Sequence, residues 1–468
     1  MTTSKTVSPG QNSKIIGLVA GIAVAVVIYL LPLEGLSPQG QMTLALTIMT
    51  IIFWAANVAQ SGFIAALFCA LVLLTGTAPA EVVFSGWVKS TFWMVIASFL
   101  FAAAVKNSGL AARAANAITI KFVKDWKSII FTVLLLQLVL SLFIPNMFPR
   151  CFLIFAIVKS ICSIAGMNKR DTVVLGFSVF CIATPAMMVF LTGESALNLM
   201  ILGFANATMG WGEWFIQMGI PSLVSSLITT LLFLLLFKPS GEFNLDKTSI
   251  IARQAEMGKL TAAEKKMLVW LVIMIVFWLT DKFHHLDISY GTMFFAMVMT
   301  LPATGKLITP KDWSEVPLNL LLFLTGAMAI GAVGSATGMN AWIAQTVMPA
   351  SISSNPFVIA AFVSIITIVL HMFLGSLVTV MSIAVPILLS FTAGMDINPI
   401  CVVLFAYNAM VLHYLFPFHQ LTLTAGFEPA GFGNKECLRM GIPLTLVVFL
   451  INCLICVPWW TFTGFIAK

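Results

Sequence analysis

A fixed positive charge inside an apolar run is the first feature that could do chemistry. In SLFIPNMFPRCFLIFAIVKS (141–160), Arg150 follows Pro145, Asn146, Met147 and Pro149. Two prolines this close fit poorly in one continuous helix, because each lacks an N–H and crowds the turn before it. They point to a re-entrant hairpin tip. The uncovered amides that open the next half-helix then favour an anion. Non-helical backbone at membrane depth is tolerated only where it lines a cavity or is packed in protein. Arg150 keeps two readings. It faces the protein interior and a substrate, since lipid contact is costly, or it snorkels to the interface or pairs with a loop acid.

Three other stretches carry short polar side chains in apolar surroundings. FLTGESALN (190–198) supplies Thr192, Glu194, Ser195 and Asn198. LHMFLGSLVTVMSIAVPILL (370–389) supplies His371, Ser376 and Thr379, and VLHYLFPFHQLTLTAGF (411–427) places His413 and His419 around Pro417. Together they could complete a polar pocket. The candidate substrate-binding set is Asn146, Met147, Arg150, Thr192, Ser195, Asn198, Ser376, Thr379 and His413. Each histidine also fits a plain interhelical hydrogen bond, and Glu194 fits a counter-ion to Arg150.

No catalytic residue, metal site or cofactor is expected. LPATGKL (301–307) lacks the leading Gly and final Ser/Thr of a phosphate loop, and neither a zinc HExxH nor a GxSxG elbow occurs. Cys453 and Cys456 have CxxC spacing but lie within an apolar run, as ordinary helix residues do. An enzyme is therefore disfavoured.

These residues need a membrane scaffold. The 468 residues are 60% hydrophobic and 9% charged, against roughly 25% charged in soluble domains. Apolar runs able to cross a bilayer recur along the chain, so the expected fold class is an all-α polytopic membrane protein with lipid around it. The net charge of +7 sits in short loops. It reads as a topology signal rather than a nucleic-acid surface. Lys5 and Lys14 before the first apolar run place the N-terminus in the cytoplasm of a multi-pass protein of the cell (inner) membrane. The polar stretch 238–266 is a cytoplasmic linker between two halves.

The halves look alike. AAVKNSGLAARAANAI (103–118) matches AVGSATGMNAWIAQTV (332–347), and each is followed by a broken apolar segment. Lys121, Lys124, Lys127, Lys169 and Arg170 flank the first broken segment, while 350–357 and 391–400 have no basic residue. Basic loops stay inside, so the copies face opposite ways, as in secondary transporters. The expected organisation is scaffold at 1–89 and 267–316, one repeat at 90–237 with a hairpin near 145–165, and a second at 317–468 with a hairpin near 373–393.

At these residues the chain resembles the divalent-anion:sodium symporter family, in its citrate/succinate and oxoglutarate/malate exchanger-like branch. Phe143-Ile144-Pro145-Asn146-Met147-Phe148-Pro149-Arg150 fits the frame of the family's FIPSNTAR stretch. His371-Met372-Phe373-Leu374-Gly375-Ser376 fits HYFFAS, and Leu412-His413-Tyr414-Leu415-Phe416-Pro417 fits THYGTGPAP. The resemblance implies about eleven transmembrane helices, two re-entrant hairpins, a homodimer and an elevator movement carrying C4–C6 dicarboxylates. Family members bind sodium and substrate at a Ser-Asn-Thr triplet on each tip. Here the triplets read Asn146-Met147-Phe148 and Ser376-Leu377-Val378. Met and Leu offer a hard cation no oxygen, so sodium-independent antiport is the expectation. A sodium- or proton-coupled symporter and, further off, an anion channel are the alternatives.

Overall fold

The computed structural model describes residues 9–467, apart from 57, 143, 206, 242–247, 249–250, 252–257, 305–306, 348, 350–351 and 375–376. Helices and their connections make up the described residues, with no strand among them. Five described helices are long and apolar enough to cross a membrane, or six when one bent pair counts as a single span. The shorter apolar helices stop at breaks, because Pro, Gly and polar caps interrupt the runs that the composition suggests. The chain is an all-α, multi-pass membrane protein. Leu30, Leu74 and Leu235 turn apolar side chains outward, as a lipid-facing surface does.

The opening helices are α1 (Pro9–Leu30), α2 (Pro38–Ala55) and α3 (Ser61–Leu74). A set follows consisting of α4 (Ser90–Ser108), α5 (Leu110–Phe122), α6 (Trp126–Ser141), α7 (Met147–Ile164), α8 (Lys169–Ala186), α9 (Ser195–Phe204) and α10 (Trp211–Leu236). After α11 (Ala262–Leu279) and α12 (Ile288–Val298), the same order returns. It runs α13 (Leu318–Ala336), α14 (Met339–Val347), α15 (Pro356–Leu374), α16 (Leu377–Thr392), α17 (Pro399–Leu412), α18 (Leu421–Ala430) and α19 (Asn434–Phe462).

The two sets agree in detail. Gly109, at φ +81°, separates α4 from α5, which bend by 67°; Gly338, at φ +78°, separates α13 from α14. Only glycine takes this left-handed backbone without cost. A short 3-10 turn precedes α9 (Leu191–Glu194) and another precedes α18 (Pro417–His419). A π turn lies inside α10 (Phe215–Gly219) and another inside α19 (Leu450–Cys456).

Two central helices hold the sets together. From Val174 to Ala186, α8 is buried on every side, and so is α17 from Cys401 to Leu412. A helix that is apolar all round belongs in the interior. These two touch one another, and α9 also packs on α17. Tyr407 of α17 donates its hydroxyl to Asn198 Oδ1 of α9 at 2.6 Å, and Tyr414 Oη lies 3.1 Å from Cys181 Sγ of α8. All eight cysteines are free.

Candidate functional site

The chain is not helical between α6 and α7, and Asn146 caps α7. Asn146 Oδ1 accepts from the Phe148 N–H at 2.9 Å. The Met147 N–H donates at 2.6 Å to Glu194 Oε2. The amide end of α7 is thus present, and a carboxylate of the protein sits on it. A helix N-terminus is a natural seat for a carboxylate, by its free amides and its dipole.

Arg150, one turn into α7, is fully buried. Its Nε donates to Gln137 Oε1 at 3.0 Å, and its Nη1 donates to the carbonyls of Ile144 at 3.0 Å and Gly193 at 2.6 Å. Those carbonyls belong to the two interruptions, one on each side of α7 and α8. Gly193 comes in tightly: a Cβ there would lie 2.6 Å from the Met187 carbonyl. The guanidinium is therefore a clasp between the break before α7 and the turn before α9. It neither snorkels nor pairs with a loop acid. Its Nη2 is buried with no partner, a costly state unless a ligand completes it.

The other predicted residues fall around this clasp with different fates. Asn146 lines a cavity of about 440 Å³, together with Ile144, Pro149, Ala102 and Lys106. Met147 contributes its amide, while its side chain is buried. Thr192 Oγ1 accepts from the Trp211 indole N–H at 3.2 Å, and Ser195 Oγ lies 3.5 Å from the Thr192 carbonyl. Asn198 is held by bonds within the protein. Its Nδ2 donates to the carbonyls of Met187, Phe190 and Leu191 at 3.0, 3.0 and 3.2 Å, and its Oδ1 takes the Tyr407 hydroxyl. These bonds tie the turn before α9 to α17. Ser376 lies outside the described residues. Thr379 falls on α16, and its side chain is likewise outside the description.

Three histidines gather near the end of α15. The rings of His371, His413 and His419 lie 5.3–5.8 Å apart, centroid to centroid, and all three are buried. Hydrogen bonds assign their tautomers. His419 Nδ1 accepts from the amides of Leu415 at 3.3 Å and Phe416 at 3.0 Å, so its proton is on Nε2. His371 Nε2 donates to the His419 carbonyl at 3.0 Å. Thr445 gives its own proton to Gly441, so His413 Nδ1 donates to Thr445 Oγ1 at 2.8 Å. His371 Nδ1, His413 Nε2 and His419 Nε2 remain unpartnered. Each ring thus uses one nitrogen and keeps the other free of a protein bond.

Gln137 was not foreseen. Its signal was a lone amide in the apolar run FTVLLLQLVL, which suits a buried partner better than a lipid face. Lys106 was missed because a lysine in a helix's last turn reads as an ordinary complement to the helix dipole. At the cavity mouth, Asp312 lies in the short loop helix Pro310–Ser314. Burial pushes its carboxyl up, and bonds from Thr309 and Asn107 outweigh that, holding it below the usual carboxylate range.

The model of the sodium:sulfate symporter transmembrane region matches residues 12–466. The chain belongs to the divalent-anion:sodium symporter family. Membership makes it a membrane transporter rather than an enzyme. Among relatives, the putative malate transporter YflS of Bacillus subtilis is 24% identical, over 77% of this chain and 77% of that protein. The L-tartrate/succinate antiporter of Escherichia coli (strain UTI89) is 22% identical over 68% and 67%. The inner membrane protein YbhI of Escherichia coli K12 is 23% identical over 83% of each. The solved YdaH transporter of Alcanivorax borkumensis aligns with a TM-score of 0.53 at 12% identity, covering 97% of this chain and 98% of that one. At that identity it speaks for the fold alone.

Proposed function

We propose that the chain exchanges C4–C6 dicarboxylates, of the succinate, malate and 2-oxoglutarate class, across the cell membrane without sodium. The observation that carries this reading is the seat of Arg150. A free hard cation would want several oxygens. Here Ile144 O, Gly193 O and Gln137 Oε1 are engaged by one guanidinium. A tethered cation compensates a dianion as a free one would, yet cannot be released with it. Obligate exchange follows, because only a returning anion resets the carrier. Relatives named as a malate transporter and a tartrate/succinate antiporter support the substrate class.

In this reading Asn146, the Met147 amide and Arg150 Nη2 meet one carboxylate. Thr192, Ser195, Asn198, Ser376, Thr379 and His413 surround the remainder. The two sets at 90–237 and 317–468 are inverted copies with re-entrant hairpins at 145–165 and 373–393. The scaffold at 1–89 and 267–316 holds a homodimer, and 238–266 links the halves. The sets carry substrate past the scaffold by an elevator movement. The basic loops at 121–127 and 169–170, with the start of α1, lie on the cytoplasmic side. Counterflow in proteoliposomes tests the proposal. Vesicles loaded with succinate should take up labelled succinate, malate or 2-oxoglutarate, and empty vesicles should not. Equal uptake into empty vesicles would reject exchange, and no uptake of any dicarboxylate would reject the substrate class.

A further inference from the structure

The anion seat at the first tip is half taken and half vacant. The Met147 amide is held by Glu194 Oε2 at 2.6 Å, and Ala196 also offers its amide to this carboxylate. Glu194 is 3% exposed. Next to it, Arg150 directs its bonds to Gln137, Ile144 and Gly193, and no ion pair joins it to Glu194 among the described residues. Arg150 Nη2, fully buried, has no partner. The two donors that a substrate carboxylate needs are thus split. An internal carboxylate holds the amide, and the guanidinium edge waits.

We propose that Glu194 is a proton-operated stand-in for the substrate's carboxylate: ionised, it caps α7, and protonated, it yields the Met147 amide to a dicarboxylate. This rests on the dicarboxylate-transport reading above. Two ionised carboxylates cannot share one buried seat without severe repulsion, and a proton on one relieves it. Glu194 is the group able to take that proton, because the arriving acid is the one that gains Arg150. Few titratable groups face it. On α7 these are Arg150 and Cys151, and on α17 the Tyr407 hydroxyl, which is spent on Asn198. From α6 comes the neutral Gln137, and α10 turns the Trp211 indole to Thr192. No charge from these elements other than Arg150 opposes or replaces the proton. In this proposal the proton arrives by way of the cavity that reaches Asn146. It enters with one acid and leaves with the other, so exchange stays free of net proton movement.

The test uses the full chain in lipid nanodiscs and in proteoliposomes, with fumarate, whose two carboxyls stay ionised across the pH range used. In the wild type, fumarate affinity should weaken by about tenfold per pH unit once Glu194 is ionised. Glu194→Gln should bind fumarate tightly at every pH, and Glu194→Asp should keep the slope. A flat wild-type profile overturns the proposal, as does a Glu194→Gln slope equal to the wild type's. Should Glu194→Gln fail to assemble, the wild-type and Glu194→Asp slopes decide by the same criterion. A pH-graded binding curve without counterflow would support the role of Glu194 while rejecting the transport reading. Absence of fumarate binding by both proteins at all pH values would overturn both.

Discussion

The start of α7 and the end of α15 hold different chemistry. At the first, a buried guanidinium and a buried carboxylate lie beside the amide end of α7. At the second, three neutral imidazoles cluster beside α15 and α17, each with one ring nitrogen to spare. A repeat therefore fixes where the chain breaks and leaves open what fills the break. Charge is expensive to bury and carries weight only where it is paired or completed by ligand. Neutral polar groups cost less and contribute less. The first tip should accordingly dominate anion binding, and the second should tune it.

Arg150→Ala makes the sharpest break in that comparison. It strips the donor from Gln137, Ile144 and Gly193 together, and charge-assisted bonds contribute about 1.5–3 kcal/mol each. Counterflow should fall by about a hundredfold or more. His413→Ala removes one neutral bond, to Thr445, at about 1 kcal/mol, so the same assay should show a loss of roughly fivefold. Equal losses would erase the difference between the tips.

The contacts that join the sets give a smaller contrast. Tyr407→Phe leaves Asn198 Oδ1 buried without its donor, which should cost about 1–3 kcal/mol and lower the thermal midpoint in detergent. Tyr414→Phe gives up only a thiol contact and should lower that midpoint far less. Smallest of all, Gly109→Ala and Gly338→Ala each place a Cβ at positive φ in uncrowded space. Each should cost about 1 kcal/mol, and the two midpoints should move together. A large difference between them would say that the two bends are not equivalent.

The breaks themselves were legible in the sequence. Pro145 and Pro149 announce one, and Gly109 and Gly338, 229 positions apart, each separate two helices at a left-handed residue. Chemistry at the breaks was only half legible. Arg150 stood out because charge is rare in an apolar run, but two of its three acceptors are backbone carbonyls, which every residue has and no letter reveals. The bonds of Asn198 were no easier to read: Tyr407, which donates to its Oδ1, is 209 residues away, and its other bonds also go to carbonyls. The apolar runs read as continuous in the sequence, whereas Pro, Gly and polar caps cut several of them into shorter helices. Such cuts follow from single residues whose effect depends on the packing around them.

The central claim is that a tethered cation does the work of a free one at the first tip. It is tested most directly by succinate counterflow measured in choline buffer and again in sodium buffer, on vesicles of one preparation. The account predicts equal rates in the two buffers and no uptake into vesicles without internal dicarboxylate. Uptake that needs sodium and proceeds into empty vesicles would contradict it.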